Sequence, residues 1–134
     1  EVIYLDVDEK CRIRPEQLEE AVNSETVIVS LMHVNNETGT VMPTGCVKDI
    51  MRRRKAPGVF HCDAVQSFGK LTLPADADLI SVSGHKIHGP KGSGALFVKK
   101  GGFAAPQHTT FVTGRAEGEA LPLRYTAGPG QMSP

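Results

Sequence analysis

The sequence predicts an α/β fold, a mostly parallel sheet with flanking helices, and three observations predict it. Short apolar runs rich in β-branched residues alternate with helix-forming stretches. Proline, acidic residues, basic residues and glycine stand where helices start and stop. Polar side chains collect just past the ends of the apolar runs, which is where ligands sit in open α/β sheets.

Each element has its own justification. Residues 2–5 are a short apolar run, read as a strand. After an acidic turn, residues 15–22 begin with Pro15 and carry Glu16, Glu19 and Glu20, a pattern that opens a helix. Residues 26–32, Thr-Val-Ile-Val-Ser-Leu-Met, form a run long enough for a strand buried on both faces. A polar loop follows to Pro43. Thr44 is positioned to cap a helix reaching about Lys55, with Val47, Ile50 and Met51 on one face and Ala56-Pro57-Gly58 as its stop. The basic run Arg52-Arg53-Arg54-Lys55 falls at that helix's C-terminus, where the backbone dipole favours cations. Residues 59–62 make a strand ending at Asp63, residues 64–68 a turn or short helix, residues 79–83 a further strand and residues 95–98 a last one, which could run antiparallel. From Gly101 onward Pro, Gly, Thr and Ala dominate and no period is sustained.

Composition narrows the function classes. Among 134 residues, 15 Lys and Arg balance 15 Asp and Glu, so no global field draws the chain to nucleic acid or to an anionic membrane. Three cysteines, Cys11, Cys46 and Cys62, are an odd number without CxxC spacing, which disfavours a disulfide framework or a zinc knuckle and fits a reducing compartment. No apolar run approaches the ~20 residues of a membrane span, and no basic-then-apolar leader pattern stands at the start. The expectation is a soluble, cytoplasmic chain.

The segment running from Ser81 through Ser83, Gly84, His85 and Lys86 to Gly92 carries the most chemical information. It sets a lysine just past a strand end, beside a histidine and among small residues that let a ligand approach the backbone. That is how an amine is presented to a cofactor aldehyde, and such an amine needs a partly desolvated or electropositive site. Asp63, past the neighbouring strand, suits the ring nitrogen of a pyridine cofactor: a carboxylate there keeps the ring protonated and able to absorb a carbanion's electrons. Gln66 is placed to bond a ring hydroxyl, and Ser83 with His85 to hold a phosphate near Gly84. Bland alternatives stand beside this reading. The glycines could only shape a turn with Lys86 in water. A metal site could draw on His33, His61, Asp63, His85 and His88, although no pair has helical i, i+4 spacing. Residues 89–94 could cradle a nucleotide phosphate, although the P-loop register is missing.

Three motifs in order, residues 33–39 (His-Val-Asn-Asn-Glu-Thr-Gly), 61–70 (His-Cys-Asp-Ala-Val-Gln-Ser-Phe-Gly-Lys) and 81–94, resemble the cysteine desulfurases and selenocysteine lyases, class V members of the fold-type-I pyridoxal phosphate enzymes. The resemblance covers residues 1 to about 100 and implies that residues 1–101 are part of the large, cofactor-binding domain. By position it implies that Lys86 forms the internal aldimine with pyridoxal 5'-phosphate and later moves the substrate's α-proton, with His85 beside it. It further implies that Asp63 partners the pyridinium nitrogen, Gln66 the phenolic oxygen, Ser83 and His85 the phosphate, and Asn35 the substrate. Asn36, Glu37 and Gly39 are left to hold the loop, His61 to pack in the core and Cys62 to fill it. The implied reaction takes L-cysteine to L-alanine, or acts on selenocysteine. A mobile-loop cysteine receives the sulfur as a persulfide, a sulfur-acceptor protein follows, iron–sulfur cluster assembly is the use, and a homodimer is the assembly. An aminotransferase of the same class and a non-enzymatic truncated product are the rival readings.

Parts of the family pattern are absent from these residues. A further phosphate-binding turn and a ring-stacking histidine would precede Glu1; the mobile-loop cysteine and a carboxylate-binding arginine would follow Pro134. Neither Cys11 nor Cys46 matches the loop cysteine, so the chain alone is expected to be inactive. After Gly101 the family continues with a GGGQE…RSGT segment that reaches a neighbouring subunit's site, and residues 102–134 do not follow it. Back-translating residues 114–128 with permitted codons and reading one base later yields GGQKGKPFRSGTPP, which resembles that segment. A reading-frame slip between about Gly101 and Gly114 is therefore expected, leaving a divergent, poorly ordered tail. Resequencing the gene tests it: nucleotides unable to encode that peptide in another frame discard the slip.

Overall fold

In a computed structural model of the chain, which describes residues 1–99, four strands form one sheet in the order β1-β2-β3-β4. The strands are β1 (Ile28–Met32), β2 (Val59–Asp63), β3 (Leu79–Ser83) and β4 (Gly94–Val98). β1 pairs parallel with β2 and β2 parallel with β3, while β4 returns antiparallel along β3. The expected α/β fold with a mostly parallel sheet is what forms. The predicted tail, residues 102–134, lies outside the described residues.

Two helices, α1 (Pro15–Ala21) and α2 (Val47–Arg53), cover one face of the sheet. Proline at the start of α1 spends no useful N–H, since the first amides of a helix lack carbonyl partners. α2 starts without a side-chain cap, contrary to the role expected of Thr44. Thr44 is instead buried and opens a short 3-10 turn (Thr44–Cys46), in which the Cys46 thiol donates to the Pro43 carbonyl at 3.0 Å. The basic end of α2 ties the helices together. The Arg53 guanidinium meets the Glu19 carboxylate at 2.9 Å, and Arg54 Nε donates to the Val22 carbonyl at 2.9 Å. Both salt-bridge partners are largely exposed, so their pairing sets geometry more than stability.

Side chains alternate across a strand, so one face of each carries the core. Leu18 and Val22 around α1 and Val47, Ile50 and Met51 of α2 meet Val29, Phe60 and Cys62 from the sheet, with Leu31, Ile80 and Val82 packed at the margin. On the other face, which α1 and α2 do not cover, β1 departs from expectation. Ile28 remains 50% exposed, because helices cover only one side of a strand predicted to be buried on both. Residues 2–5 also fail to form the predicted strand: Val2 and Tyr4 stand 73% and 88% exposed, and an apolar run without a neighbouring edge has nothing to satisfy its ladder. Gly58, between α2 and β2, has a packing reason, since a Cβ there would run into the Thr26 carbonyl.

Two buried polar groups knit the core. The Asp78 carboxylate, just ahead of β3, accepts from Lys48 Nζ at 2.6 Å and from the Phe60 amide at 2.8 Å, so it joins α2 to β2. His33, 6% exposed, carries the β1 ladder one residue further: its amide donates to the Asp63 carbonyl at 2.8 Å. Its Nδ1 is buried without a partner, and desolvation pushes the imidazole below its ordinary pKa.

Replacing Asp78 with alanine strands the Phe60 amide and the Lys48 ammonium. The expected cost is roughly 2–4 kcal/mol in urea denaturation, and a loss below ~0.5 kcal/mol discards the clamp. His33 binds its proton less readily folded than unfolded, so its contribution is present above about pH 6.5 and is lost as the pH falls below that value. His33→Gln should therefore lose less stability between pH 7 and pH 5 than the unsubstituted chain; equal losses refute the assignment.

Candidate active site

Parallel pairing sets Met32 beside Asp63 and Asp63 beside Ser81, so β1, β2 and β3 all end at one edge of the sheet. Asn35, Asp63, Gln66, Ser83, His85 and Lys86 all lie at the ends of these strands or on the three loops that leave that edge.

The first loop turns on Asn35. Its Oδ1 accepts from the Glu37 and Thr38 amides at 2.9 and 3.0 Å, its carbonyl accepts from the Gly39 amide at 3.0 Å, and its Nδ2 lies 3.4 Å from Met32 Sδ. Gly39 takes a φ of 70°, which a side-chain-bearing residue rarely adopts. The side-chain oxygen of Asn35, the residue expected to meet the substrate, thus braces the loop, while its Nδ2 lies against the Met32 sulfur. Asn36 is exposed beside it.

The second loop begins at Asp63, whose backbone is held from both sides. Its carbonyl accepts from the His33 amide, and the next amide, of Ala64, donates to the Ser81 carbonyl at 2.9 Å. One carboxylate oxygen accepts from the Val65 amide at 2.9 Å. Gln66 is half-buried on the turn that follows, where Ser67 is fully buried.

The third loop opens with a 3-10 turn (Gly84–Ile87). Ser83 Oγ and His85 Nδ1 stand 2.7 Å apart, so the pair expected to hold a phosphate is brought together. A Cβ at Gly84 would strike the Ser93 hydroxyl, and the Gly84 amide donates to the Ser93 carbonyl at 2.8 Å. The Gly89 amide returns to the Gly84 carbonyl at 2.8 Å, and Ser93 Oγ donates to the Pro90 carbonyl at 2.7 Å. Residues 89–94 therefore close on themselves rather than offering the open amide cradle of a nucleotide loop. His88 ends the turn at a φ of 64°. His85 and Lys86 are exposed, so residues 1–99 leave the amine in water rather than in the dry setting that an unprotonated lysine requires.

Among the described residues no three His, Cys, Asp or Glu side chains gather closely enough for a metal. Cys62 is fully buried in the core and its thiol is pushed up to about 11 by desolvation, so it fills space as expected. Burial also raises the Cys46 thiol. A cavity of about 230 Å³ is lined by Phe68, Leu73, Ile80, Val82 and Phe97. Ile80 and Val82 alternate with Ser81 and Ser83, so this apolar hollow opens on the opposite side of β3 from the polar pair.

Sequence reasoning missed one arrangement. His61 is neither a free ligand nor an apolar-packed ring: Nδ1 lies 2.8 Å from Ser30 Oγ and Nε2 lies 3.1 Å from Ser81 Oγ, spanning β1, β2 and β3. The available signal was a serine inside each of two apolar strands, in phase with the histidine. No helix among the described residues is long and apolar enough to cross a membrane.

The chain is similar to several known proteins. A cysteine desulfurase IscS from Anaeromyxobacter sp. (strain Fw109-5) is 50% identical over 104 residues, covering 75% of this chain and 25% of that protein. A mitosomal cysteine desulfurase from Trachipleistophora hominis is 46% identical over 102 residues, covering 74% and 23%. Among solved structures, a NifS-like protein superposes with a TM-score of 0.70 at 38% identity, covering 75% of this chain and 29% of that one. The structure of SspA in complex with cysteine gives 0.67 at 42% identity, covering 73% and 28%. The chain thus spans about a quarter of the length of these curated relatives. The family description "Aminotransferase class-V" matches residues 1–129, and the chain belongs to that family.

Proposed function

We propose that this chain is the lysine-bearing part of the cofactor domain of a cysteine desulfurase. The observation that supports the reading is that Asp63 and the Ser83–His85 pair, followed by Lys86, stand at the carboxyl ends of adjacent parallel strands. The donor set fits pyridoxal 5'-phosphate. A hydroxyl beside an imidazole suits phosphate oxygens, a backbone-anchored carboxylate suits a protonated ring nitrogen, and the Gly84–Ser93 contact leaves no space for a side chain at the turn that presents the lysine. When bound, that cofactor supplies an electron sink for the charge left at the substrate's α-carbon.

Each residue then has a defined task. Asp63 holds a proton at the ring nitrogen, Gln66 donates to the ring oxygen, and Ser83 with His85 grips the phosphate. Lys86 anchors the group through its amine and moves the proton at the α-carbon. Asn35, on the loop after β1, meets the substrate, its oxygen bracing that loop. The overall exchange, L-cysteine plus a thiol giving L-alanine plus a persulfide, conserves every atom. Its thiol is not Cys62, which is sealed in the core, and neither Cys11 nor Cys46 matches the position of the family's loop cysteine. Selenocysteine fits the same groups. The sulfur-acceptor protein, the use in iron–sulfur cluster assembly, the homodimer and the cytoplasmic setting belong to the complete protein in this reading, as does the dry surrounding that Lys86 needs.

Purified chain mixed with pyridoxal 5'-phosphate tests the site. A visible absorption band that borohydride fixes onto the Lys86 peptide, and that Lys86→Ala abolishes, is the expected result. Label scattered over surface lysines overturns the proposal. With the full-length gene product, failure to form alanine from cysteine favours an aminotransferase instead.

A further inference from the structure

His61 lies two residues before Asp63 on β2, so both side chains leave the same face of the sheet. Ser30 stands directly beside it on β1, and on β3 the ring reaches diagonally, past its register partner Leu79, to Ser81, which is paired with Asp63. The imidazole at 2.8 and 3.1 Å from the two hydroxyls therefore links three strands one step below the rim where the cofactor groups emerge. Ser81 does double duty, because its carbonyl also accepts the Ala64 amide. On the other side the His33 amide holds the Asp63 carbonyl. Two lateral bonds thus fix the backbone at Asp63, and the one ring sits against the strands that provide them.

From this arrangement we infer that His61 is a positioning residue: its bonds to Ser30 and Ser81 fix the spacing of the three strands, and through it the direction in which Asp63 faces the ring nitrogen. The inference rests on the role given to Asp63 above. A neutral imidazole has one N–H and one lone pair, and each serine hydroxyl can donate or accept, so the chain of three is satisfied in either tautomer. A packed aromatic ring would fill the same space without bearing on strand spacing.

Amide hydrogen exchange on the 134-residue chain separates the two roles. His61→Phe keeps the ring's bulk and removes both bonds. It should raise exchange at the His33 and Ala64 amides about tenfold relative to the Phe60 amide, which Asp78 holds deeper in the sheet. His61→Gln, with a donor and an acceptor on one side chain, should restore much of that protection. Milder variants keep the ring in place: Ser81→Ala should loosen the Ala64 amide and Ser30→Ala the His33 amide. Exchange that rises evenly over all strands, or not at all, overturns the inference. In chains that bind pyridoxal 5'-phosphate, His61→Phe should weaken binding about tenfold, with rescue by His61→Gln. The exchange measurement needs no cofactor, so failure of the unsubstituted chain to bind it counts against the functional reading alone.

Discussion

Parallel pairing of β1, β2 and β3 is the constraint on which the rest depends. A parallel neighbour cannot be reached by a tight hairpin, so after each strand the chain must cross back over the sheet before starting the next. Those crossings supply α2 and the turn-rich stretch from 64 to 78, and with them one side of the core. They also return every strand to the same starting end. The three loops leaving the opposite edge are far apart in sequence and adjacent in space, which is the condition for one residue from each to touch a single ligand. β4 needs no crossing because it turns back antiparallel, and the closed loop of residues 84–94 that joins it to β3 is the one that carries Lys86.

How much of this the sequence discloses depends on whether a signal is local. The strands from β1 to β4, the apolar face of α2 and the stop after it are written in short windows of residue type, and they form where those windows place them. Partnership is not local. Residues 2–5 have the composition of a strand but no edge to join, and Ile28 has the composition of a buried residue on a face that the helices leave open. Thr44 resembles a cap, yet the chain tightens into a 3-10 turn and buries it. In each case the residue type is right for the element and the surroundings decide otherwise.

The site divides in the same way. Asp63, Ser83, His85 and Lys86 are legible because a strand end is marked by the polar residue that follows it. The two asparagines were harder to separate: adjacent residues of one type have identical local signals, and only the turn geometry shows that Asn35 satisfies the loop's amides while Asn36 stays exposed. His61 was hardest, since its two partners come from strands 31 and 20 residues away and neither serine is unusual by itself.

The two faces of the sheet also divide the labour of stability and chemistry. On the helix side Val29, Phe60 and Cys62 are buried apolar groups whose removal from water favours folding without regard to direction. On the other side Ser30, His61 and Ser81 contribute bonds that are modest in net energy but strict in geometry. A side chain that must be aimed in one direction from a strand end is served by the second kind of constraint, because hydrogen bonds are directional where apolar burial is not. The alternation of side chains along β2 provides both from consecutive residues: Phe60 and Cys62 anchor the strand to the helices, while His61 and Asp63 set and use the rim.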